Sequence, residues 1–230
     1  MPRMKIDLHF HGVRKKRDDW QGRLRSMMEK AAQERLGAVA LLDHDYHPTD
    51  EDVALAHEAA PAVKIFKAVE FSVRDNCRKI TDHLIVVSDE PYGWDISGGI
   101  TTAELHKLRE YVGRSGALTI LAHPFRRHPN ISFDFYDLLP DAVEIASPST
   151  PAERRHDILR MAVRWGMAMV ENSDSHRAAH VGRFFMDVPD WVVGNKDTLA
   201  TAIRAGICGC HALNIGFPES YLFGRNRPGQ

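Results

Sequence analysis

Cysteine is scarce in this chain, and so are long apolar stretches and any surplus of charge of one sign. The three cysteines stand at irregular spacing, too few for a disulfide framework, which favours a reducing compartment. No apolar run reaches the roughly 18 residues that a membrane helix requires. The formal net charge of −1 gives no general attraction to nucleic acid or membranes. With a strand starting almost at the N-terminus and no room for a signal peptide, these absences predict a cytoplasmic protein without membrane partners.

The pattern of apolar residues predicts a single α/β domain spanning residues 1–230, with its core at about 4–205. Residues 38–42 form an unbroken apolar run, typical of a parallel strand covered on both faces. Seven further strands are predicted at 5–10, 64–69, 83–87, 117–122, 142–146, 167–170 and 184–188. In a parallel sheet or barrel, the active site lies at the carboxyl ends of the strands.

Helices are predicted between these strands. The first covers 20–36 with Gly37 as its C-cap, and the second covers 49–60. Thr101 and Glu104 form a capping box for the third, and Thr150 with Pro151 at the first helical position begins a fourth that ends at 165. A last helix covers 196–205, and the tail 206–230 is expected to wrap the domain.

Histidine and acidic side chains recur at or just after the ends of these strands. His9 and His11 share one side of their strand because side chains alternate with a period of two. Imidazole and carboxylate without thiolate suit Zn²⁺, Mn²⁺ or Fe²⁺, and so large a set implies two or three ions. Glu70 is a carboxylate able to bridge two of them. The candidate ligands are His9, His11, Asp19, His44, Glu70, His83, His123, Asp174 and His176.

Five ordered motifs carry a resemblance to a known family. The segments DLHFH (7–11), LDHD (42–45), VEFS (69–72), LAHP (121–124) and NSDSH (172–176), the last followed by VG at 181–182, resemble the successive motifs of the PHP family, named for polymerase and histidinol phosphatase. The resemblance implies a distorted seven-stranded β/α barrel, similar to the amidohydrolases. It also implies a phosphoesterase centre with two or three divalent ions.

The resemblance further implies a ligand set for each ion. One ion would be held by His9, His11, Glu70 and Asp174, and a second by Glu70, His83 and His123. A third would take His44 and His176 together with Asp19. Lys16 and Arg17 stand where family members usually have a His or Asp, so Asp18 is the alternative to Asp19. Glu70, His123 and Asp174 are the predicted catalytic residues.

Other polar residues near the motifs are given supporting roles. Asp7, Asp43 and Asp45 flank ligands and are predicted to orient imidazoles. Arg126 or Arg127 is predicted to hold the substrate phosphate, and the basic run 14–17 to steer an anion inward. Cys208 and Cys210 lack the further cysteines of a zinc site. Surface or supporting positions are predicted for His47, His57, His106, His128, His156, His180 and His211.

The leading hypothesis is a histidinol-phosphate-phosphatase-like enzyme that hydrolyses a small phosphomonoester by metal-activated hydroxide attack. Short intervals between the motifs, near-neutral charge and few stacking aromatics argue against a long nucleic acid as substrate. A nucleotide or oligonucleotide phosphodiesterase remains an alternative, as do an amidohydrolase-like C–N hydrolase and a non-catalytic metal-binding module.

Overall fold

The computed structural model describes residues 2–13 and 19–210, and strands alternate with helices along most of this length. The strands are β1 (Arg3–His11), β2 (Leu36–Leu42), β3 (Lys64–Asp75), β4 (Ile80–Val87), β5 (Ile100–Thr101), β6 (Leu118–Ala122), β7 (Ala142–Ala146), β8 (Ala168–Glu171), β9 (Met186–Pro189) and β10 (Gly209–Cys210). The helices are α1 (Trp20–Gln33), α2 (Asp50–Ala59), α3 (Leu105–Ser115), α4 (Arg155–Trp165) and α5 (Lys196–Arg204). None of the helices in the described part of the chain is long and apolar enough to cross a membrane.

The strands form one ten-stranded sheet in the order β10-β9-β1-β2-β3-β4-β6-β7-β8, with β5 paired to β3. Pairs β1–β2, β2–β3, β6–β7 and β7–β8 are parallel, whereas β4 is antiparallel to β3 and to β6. Beyond β8 the chain returns to β1, where Ser175 N donates to His9 O at 3.2 Å and His11 N donates to Ser175 O at 3.0 Å. The sheet is therefore a nearly closed α/β barrel, as predicted, and the seven-strand count stays a prediction.

Alternation of side chains divides the apolar core into three clusters. The interior cluster contains inward-facing strand residues such as Ile6, Ala68 and Ile120, and helix α5 packs against it through Leu199 and Ile203. An outer cluster lies between the sheet and helices α3 and α4, and another between the sheet and helices α1 and α2. Strands β1, β2, β6 and β7 thus contribute apolar residues to the interior cluster and to an outer cluster, as expected for parallel strands covered on both sides.

Helix α5 covers the amino-terminal end of the barrel. Lys196 Nζ donates to Ser115 O at 3.0 Å, and Arg204 Nη2 donates to Ala117 O at 2.8 Å, just before β6 begins. Lys64, the first residue of β3, donates through Nζ to Gly194 O at 2.7 Å, and Gly194 lies in the turn that precedes α5. The polar motifs lie at the opposite, carboxyl end of the barrel.

Two predicted helix ends are wrong. Helix α1 ends at Gln33, and Gly37 is the second residue of β2, where a Cβ would lie 2.1 Å from Met4 Cγ. Gly37 is therefore required by close packing rather than by a C-cap. Thr150 is not an N-cap, because its Oγ1 lies 2.9 Å from Ser147 Oγ.

Short 3₁₀ turns, at Thr102–Glu104 and Ala152–Arg154, precede α3 and α4. Pro151 precedes a 3₁₀ turn at Ala152–Arg154 instead of occupying the first helical position. The predicted Thr101–Glu104 box is confirmed, since Thr101 N donates to Glu104 Oε2 at 3.1 Å. Of the predicted tail, 206–210 ends in β10, and 211–230, including His211, lies outside the described residues. The single-domain assignment stays a prediction.

Candidate metal centre

An irregularity in β1 turns the first two candidate ligands toward the barrel interior. Ile6 and Leu8 belong to the interior cluster, so strict alternation would turn His9 outward. Between Asp7 and Phe10 the pairing of β1 with β2 slips by one residue, which reverses the alternation. Phe10 then joins the cluster under α1 and α2, and His9 and His11 face inward together.

Regular alternation of side chains along β3 and β4 places the candidate ligands of these strands on the inward face. Glu70 follows the inward-facing Ala68 by two residues, and His83 precedes the inward-facing Ile85 by two. His44 lies just after β2, where a parallel bridge joins it to Glu70. Three segments separated along the chain therefore meet at the carboxyl end of the barrel.

His123 and Asp174 reach the same point through strained backbone. His123 follows β6 with a φ of 27°, although it precedes Pro124, and Asp174 follows β8 with a φ of 43°. Asp45, beside His44, has a φ of 51°. Positive φ costs a non-glycine residue about 1–3 kcal/mol, and such residues concentrate at functional sites. Strained backbone therefore follows the carboxyl ends of three strands, β2, β6 and β8.

Glu70 is the centre of the cluster. Its Oε1 lies 2.8 Å from His83 Nδ1 and 3.1 Å from His123 Nε2. Its Oε2 lies 2.9 Å from His11 Nε2, 3.1 Å from His44 Nδ1 and 3.4 Å from His9 Nε2. One fully buried carboxylate is thus surrounded by five imidazoles.

Asp174 forms a second acidic point beside it. Its Oδ1 lies 3.3 Å from His11 Nε2, and 3.4 Å from both His9 Nε2 and His176 Nδ1. Because His9 and His11 contact both Glu70 and Asp174, the two acidic points belong to one cluster.

The side chains present fit divalent cations. Glu70 Oε2 and Asp174 Oδ1 are buried and accept no hydrogen bond from the described residues, and the Nε2 atoms of His9 and His11 face each other at 3.0 Å. A cation satisfies such converging lone pairs, whereas unsatisfied buried polar atoms are costly. Within the described ranges, four groups have ligand atoms within 4.8 Å of one another: His9–His11–Asp174, His9–Glu70–His123, His44–Glu70–His83 and His11–His44–His176.

Electrostatics at this point favour positive charge. Burial alone would lower the pKa of His11, but the neighbouring carboxylates of Glu70, Asp174 and Asp43 raise it to about 10. Burial opposes the charged form of Glu70, yet His9 and His11 hold its pKa well below the usual range. Burial, only partly offset by Glu70, lowers the pKa of His44 to about 3. The carboxylates therefore stabilise a cation among them, whether a proton or a metal ion.

The three flanking aspartates contact the ligand segments in different ways. Asp43 Oδ1 lies 3.4 Å from His11 Nδ1, a contact that would orient this imidazole, and the orienting role stays a prediction. Asp7 Oδ1 instead accepts from the backbone N–H groups of His9 and Ser173, each at 3.1 Å, and burial raises the pKa of Asp7 to about 6. Asp45 Oδ1 accepts from Ser72 N at 2.7 Å. Asp7 and Asp45 thus hold backbone segments in place rather than rings.

Asp19 is not brought into the cluster. It is exposed, precedes α1 and contributes its backbone oxygen to Arg23 N at 3.2 Å, and it belongs to none of the four groups found among the described residues. Asp18 and the basic run 14–17 lie outside the described residues. The third ligand beside His44 and His176 therefore stays a prediction, although His11 already stands next to that pair.

Arg126 and Arg127 lie beside the cluster on the loop after β6. Both are exposed, and they line a cleft with His83, His123 and His128. A guanidinium at this place can reach a phosphate bound against the ligands. Among the other histidines, His47 lies 3.0 Å from Ser88 O and His106 lies 3.0 Å from Ala103 O, outside the four groups.

Glu144 has a role that sequence reasoning did not identify. It is fully buried in β7, and its carboxylate contacts both His9 and the backbone of His123. The available signal was one acidic residue within the otherwise apolar strand AVEIA. A buried, unpaired charge is costly, so such a residue indicates a polar partner.

Comparisons with known proteins agree with this geometry. A family model described as PHP-associated matches residues 154–208. A search of curated proteins found no match.

Three similar solved structures share the fold. A putative metal-dependent phosphoesterase from Bifidobacterium adolescentis has a TM-score of 0.54 at 16% identity, over 79% of this chain and 90% of that one. An amidohydrolase from Chromobacterium violaceum with bound sulfate has 0.56 at 17%, over 77% and 90%. The lesion-specific endonuclease Q from Pyrococcus furiosus has 0.59 at 16%, over 89% of this chain and only 56% of that one. At these identities the likeness shows the fold alone, and the PHP-associated match is limited to residues 154–208 of the chain.

Proposed function

We propose that this PHP-family chain is a metal-dependent phosphoesterase whose substrate is a small phosphorylated metabolite, in the first place a phosphomonoester. The observation that carries the proposal is the convergence of six His and Asp side chains on or around Glu70, beside a cleft lined by two arginines. A seventh, His176, joins through Asp174 and His11.

The described ligands support two or three ions. His9, His11, Glu70 and Asp174 would hold one ion, and Glu70 with His83 and His123 would hold a second. His44 and His176 with His11 form the candidate third site. Zn²⁺, Mn²⁺ or Fe²⁺ suits these nitrogen and oxygen ligands. Bound there, the ions would supply Lewis acidity and an activated water for attack on phosphorus.

The protein side chains position the phosphate and neutralise its charge. Arg126 or Arg127 would hold non-reacting phosphoryl oxygens from the cleft that His83 and His123 also line. Attack by the water oxygen forms one P–O bond, the ester P–O bond breaks, and the proton ends on the leaving alkoxide. No serine or cysteine nucleophile is needed for this reaction.

A phosphodiesterase acting on nucleotides or oligonucleotides is the second candidate, and the likeness to endonuclease Q is the observation that favours it. The chain spans only 56% of that protein, and its formal net charge of −1 offers no general attraction to a nucleic acid backbone. The amidohydrolase neighbour, in turn, keeps cleavage of C–N bonds as a further alternative.

The test is metal analysis of the purified protein followed by a substrate panel with Mn²⁺, Zn²⁺ or Fe²⁺. The panel contains phosphomonoesters, phosphodiesters, a duplex with an abasic site, and amides. We expect bound metal and preferential release of phosphate from monoesters. Preferential diester or duplex cleavage would favour the second candidate, and amide cleavage the third. Full metal occupancy without turnover of any substrate would contradict the enzyme assignment and favour a metal-binding module.

A further inference from the structure

Glu144 stands in a strand that is otherwise apolar. Its neighbours Val143 and Ile145 pack outward under α3 and α4, and Ala142 faces the interior cluster. Glu144 itself has no exposed surface. A carboxylate in such surroundings requires partners for both oxygens.

Both oxygens of Glu144 have partners, and each belongs to a different ligand segment. Oε1 lies 3.2 Å from His9 Nδ1, and Oε2 accepts from His123 N at 2.9 Å. This distinguishes Glu144 from Glu70 and Asp174, each of which has a buried oxygen that accepts no hydrogen bond from the described part of the chain. Glu144 is therefore placed to hold ligands rather than to be one.

The contact with His9 determines which ring nitrogen faces the cluster. When Nδ1 donates its proton to Glu144, the lone pair of Nε2 is left free. The Nε2 atom of His9 lies 3.4 Å from both Glu70 Oε2 and Asp174 Oδ1, so these three atoms would hold a cation together. The carboxylate therefore selects the tautomer in which His9 can bind metal.

The contact with His123 supports the strained turn after β6. Alternation would place His123 on the outward face of Leu121, but its φ of 27° turns the ring inward to Glu70. Because a positive φ is strained for a residue other than glycine, an external restraint is needed to hold this conformation. The hydrogen bond from His123 N to Glu144 is such a restraint.

We propose that Glu144 is a positioning residue that couples the ligand of one ion, His9, to the ligand of a second, His123. The inference rests on the metal centre of the proposed function, and not on the identity of the substrate. Carboxylates that orient metal-bound imidazoles typically contribute roughly 10- to 100-fold to metal affinity.

The experiment compares Glu144→Gln with wild type by titrating chelator-treated protein with Co²⁺ and following its visible absorption. In glutamine one of the two oxygen positions becomes an NH2 group, which donates and cannot accept, so either His9 Nδ1–H or His123 N–H loses its acceptor. We expect Co²⁺ affinity to fall roughly 10- to 100-fold and the absorption spectrum to change.

Asp141→Asn is the matched control. Asp141 lies three residues earlier, accepts from Thr119 N at 2.9 Å and pairs with Arg204 at the opposite end of the barrel. We expect this variant to lower the melting temperature while Co²⁺ affinity stays within about twofold, since Asp141 contacts no ligand. A folded Glu144→Gln protein with unchanged affinity and spectrum would overturn the proposal, as would a loss of thermal stability alone.

A second measurement needs no variant. In Zn²⁺-loaded wild-type protein labelled with ¹⁵N-histidine, we expect the spectrum of His9 to show the proton on Nδ1. A proton on Nε2 would overturn the proposal. Wild-type protein that binds neither Co²⁺ nor Zn²⁺ would overturn the metal centre and Glu144's role together, whereas metal binding without phosphate release would overturn only the proposed activity.

Discussion

The two ends of the barrel use the same strands for opposite purposes. At the amino-terminal end, inward side chains such as Ile120 and Ala142 pack with Leu199 and Ile203 of α5. At the carboxyl end, the inward positions carry imidazoles and carboxylates, and the backbone takes positive φ at His123, Asp174 and Asp45. Burial of apolar area at the amino-terminal end therefore offsets the backbone strain and the desolvated charge at the carboxyl end.

The largest expected effect comes from removing a ligand at the carboxyl end. His123→Ala and Glu70→Ala should each lower kcat/KM for the best phosphate ester by roughly 10³-fold, because Lewis-acid stabilisation of several kcal/mol is lost. Far-ultraviolet circular dichroism should show that the fold is retained. His106→Ala is the control, since that ring is exposed, lies 3.0 Å from the Ala103 carbonyl oxygen and belongs to none of the four groups found among the described residues. Unchanged activity in either variant would remove that residue from the centre.

The amino-terminal end should respond in the opposite way. Leu199→Ala deletes a fully buried side chain of α5 and should cost about 2–5 kcal/mol of unfolding free energy, measured by urea denaturation. Metal content and kcat of the remaining folded protein should not change. Val163→Ala, at a half-exposed position of α4, should stay within about 0.5 kcal/mol of wild type. Metal loss in folded Leu199→Ala protein would mean that the two ends are not independent.

A smaller effect is expected at the rim of the carboxyl end. Arg126→Ala or Arg127→Ala should reduce kcat/KM roughly 10-fold, mainly through KM, because a charged hydrogen bond to phosphate contributes about 1.5–3 kcal/mol. Metal affinity should be unchanged, since neither guanidinium belongs to a ligand group. Arg109→Ala, on the exposed face of α3, is the matched control. If neither cleft arginine affects KM, phosphate is held elsewhere.

Sequence patterns were most informative where geometry follows a simple period. Glu70 and His83 lie on the inner face because alternation from Ala68 and Ile85 places them there. The motif order also identified His44, whose segment bridges to Glu70. For these residues the local sequence pattern agrees with the position in the fold, so these candidate ligands could be predicted from the sequence.

Other features depend on contacts between distant segments. The register slip in β1 that turns His9 inward depends on pairing with β2, and the closing bonds of Ser175 depend on the curvature of the whole sheet. Glu144 had only its isolation in an apolar strand as a signal. The role of Asp19 stays a prediction, because it is close to the first motif along the chain but its side chain is exposed and belongs to none of the four groups found among the described residues.

The pattern of residues along the chain predicts which strands are apolar, which nitrogen and oxygen side chains follow them, and an order of motifs that resembles the PHP family. Folding then brings Glu70 among five imidazoles and Glu144 into contact with His9 and His123, and these contacts group the candidate ligands. Composition and periodicity are local properties of the chain. Ligand grouping, in contrast, depends on distances of a few ångströms between residues that barrel closure brings together.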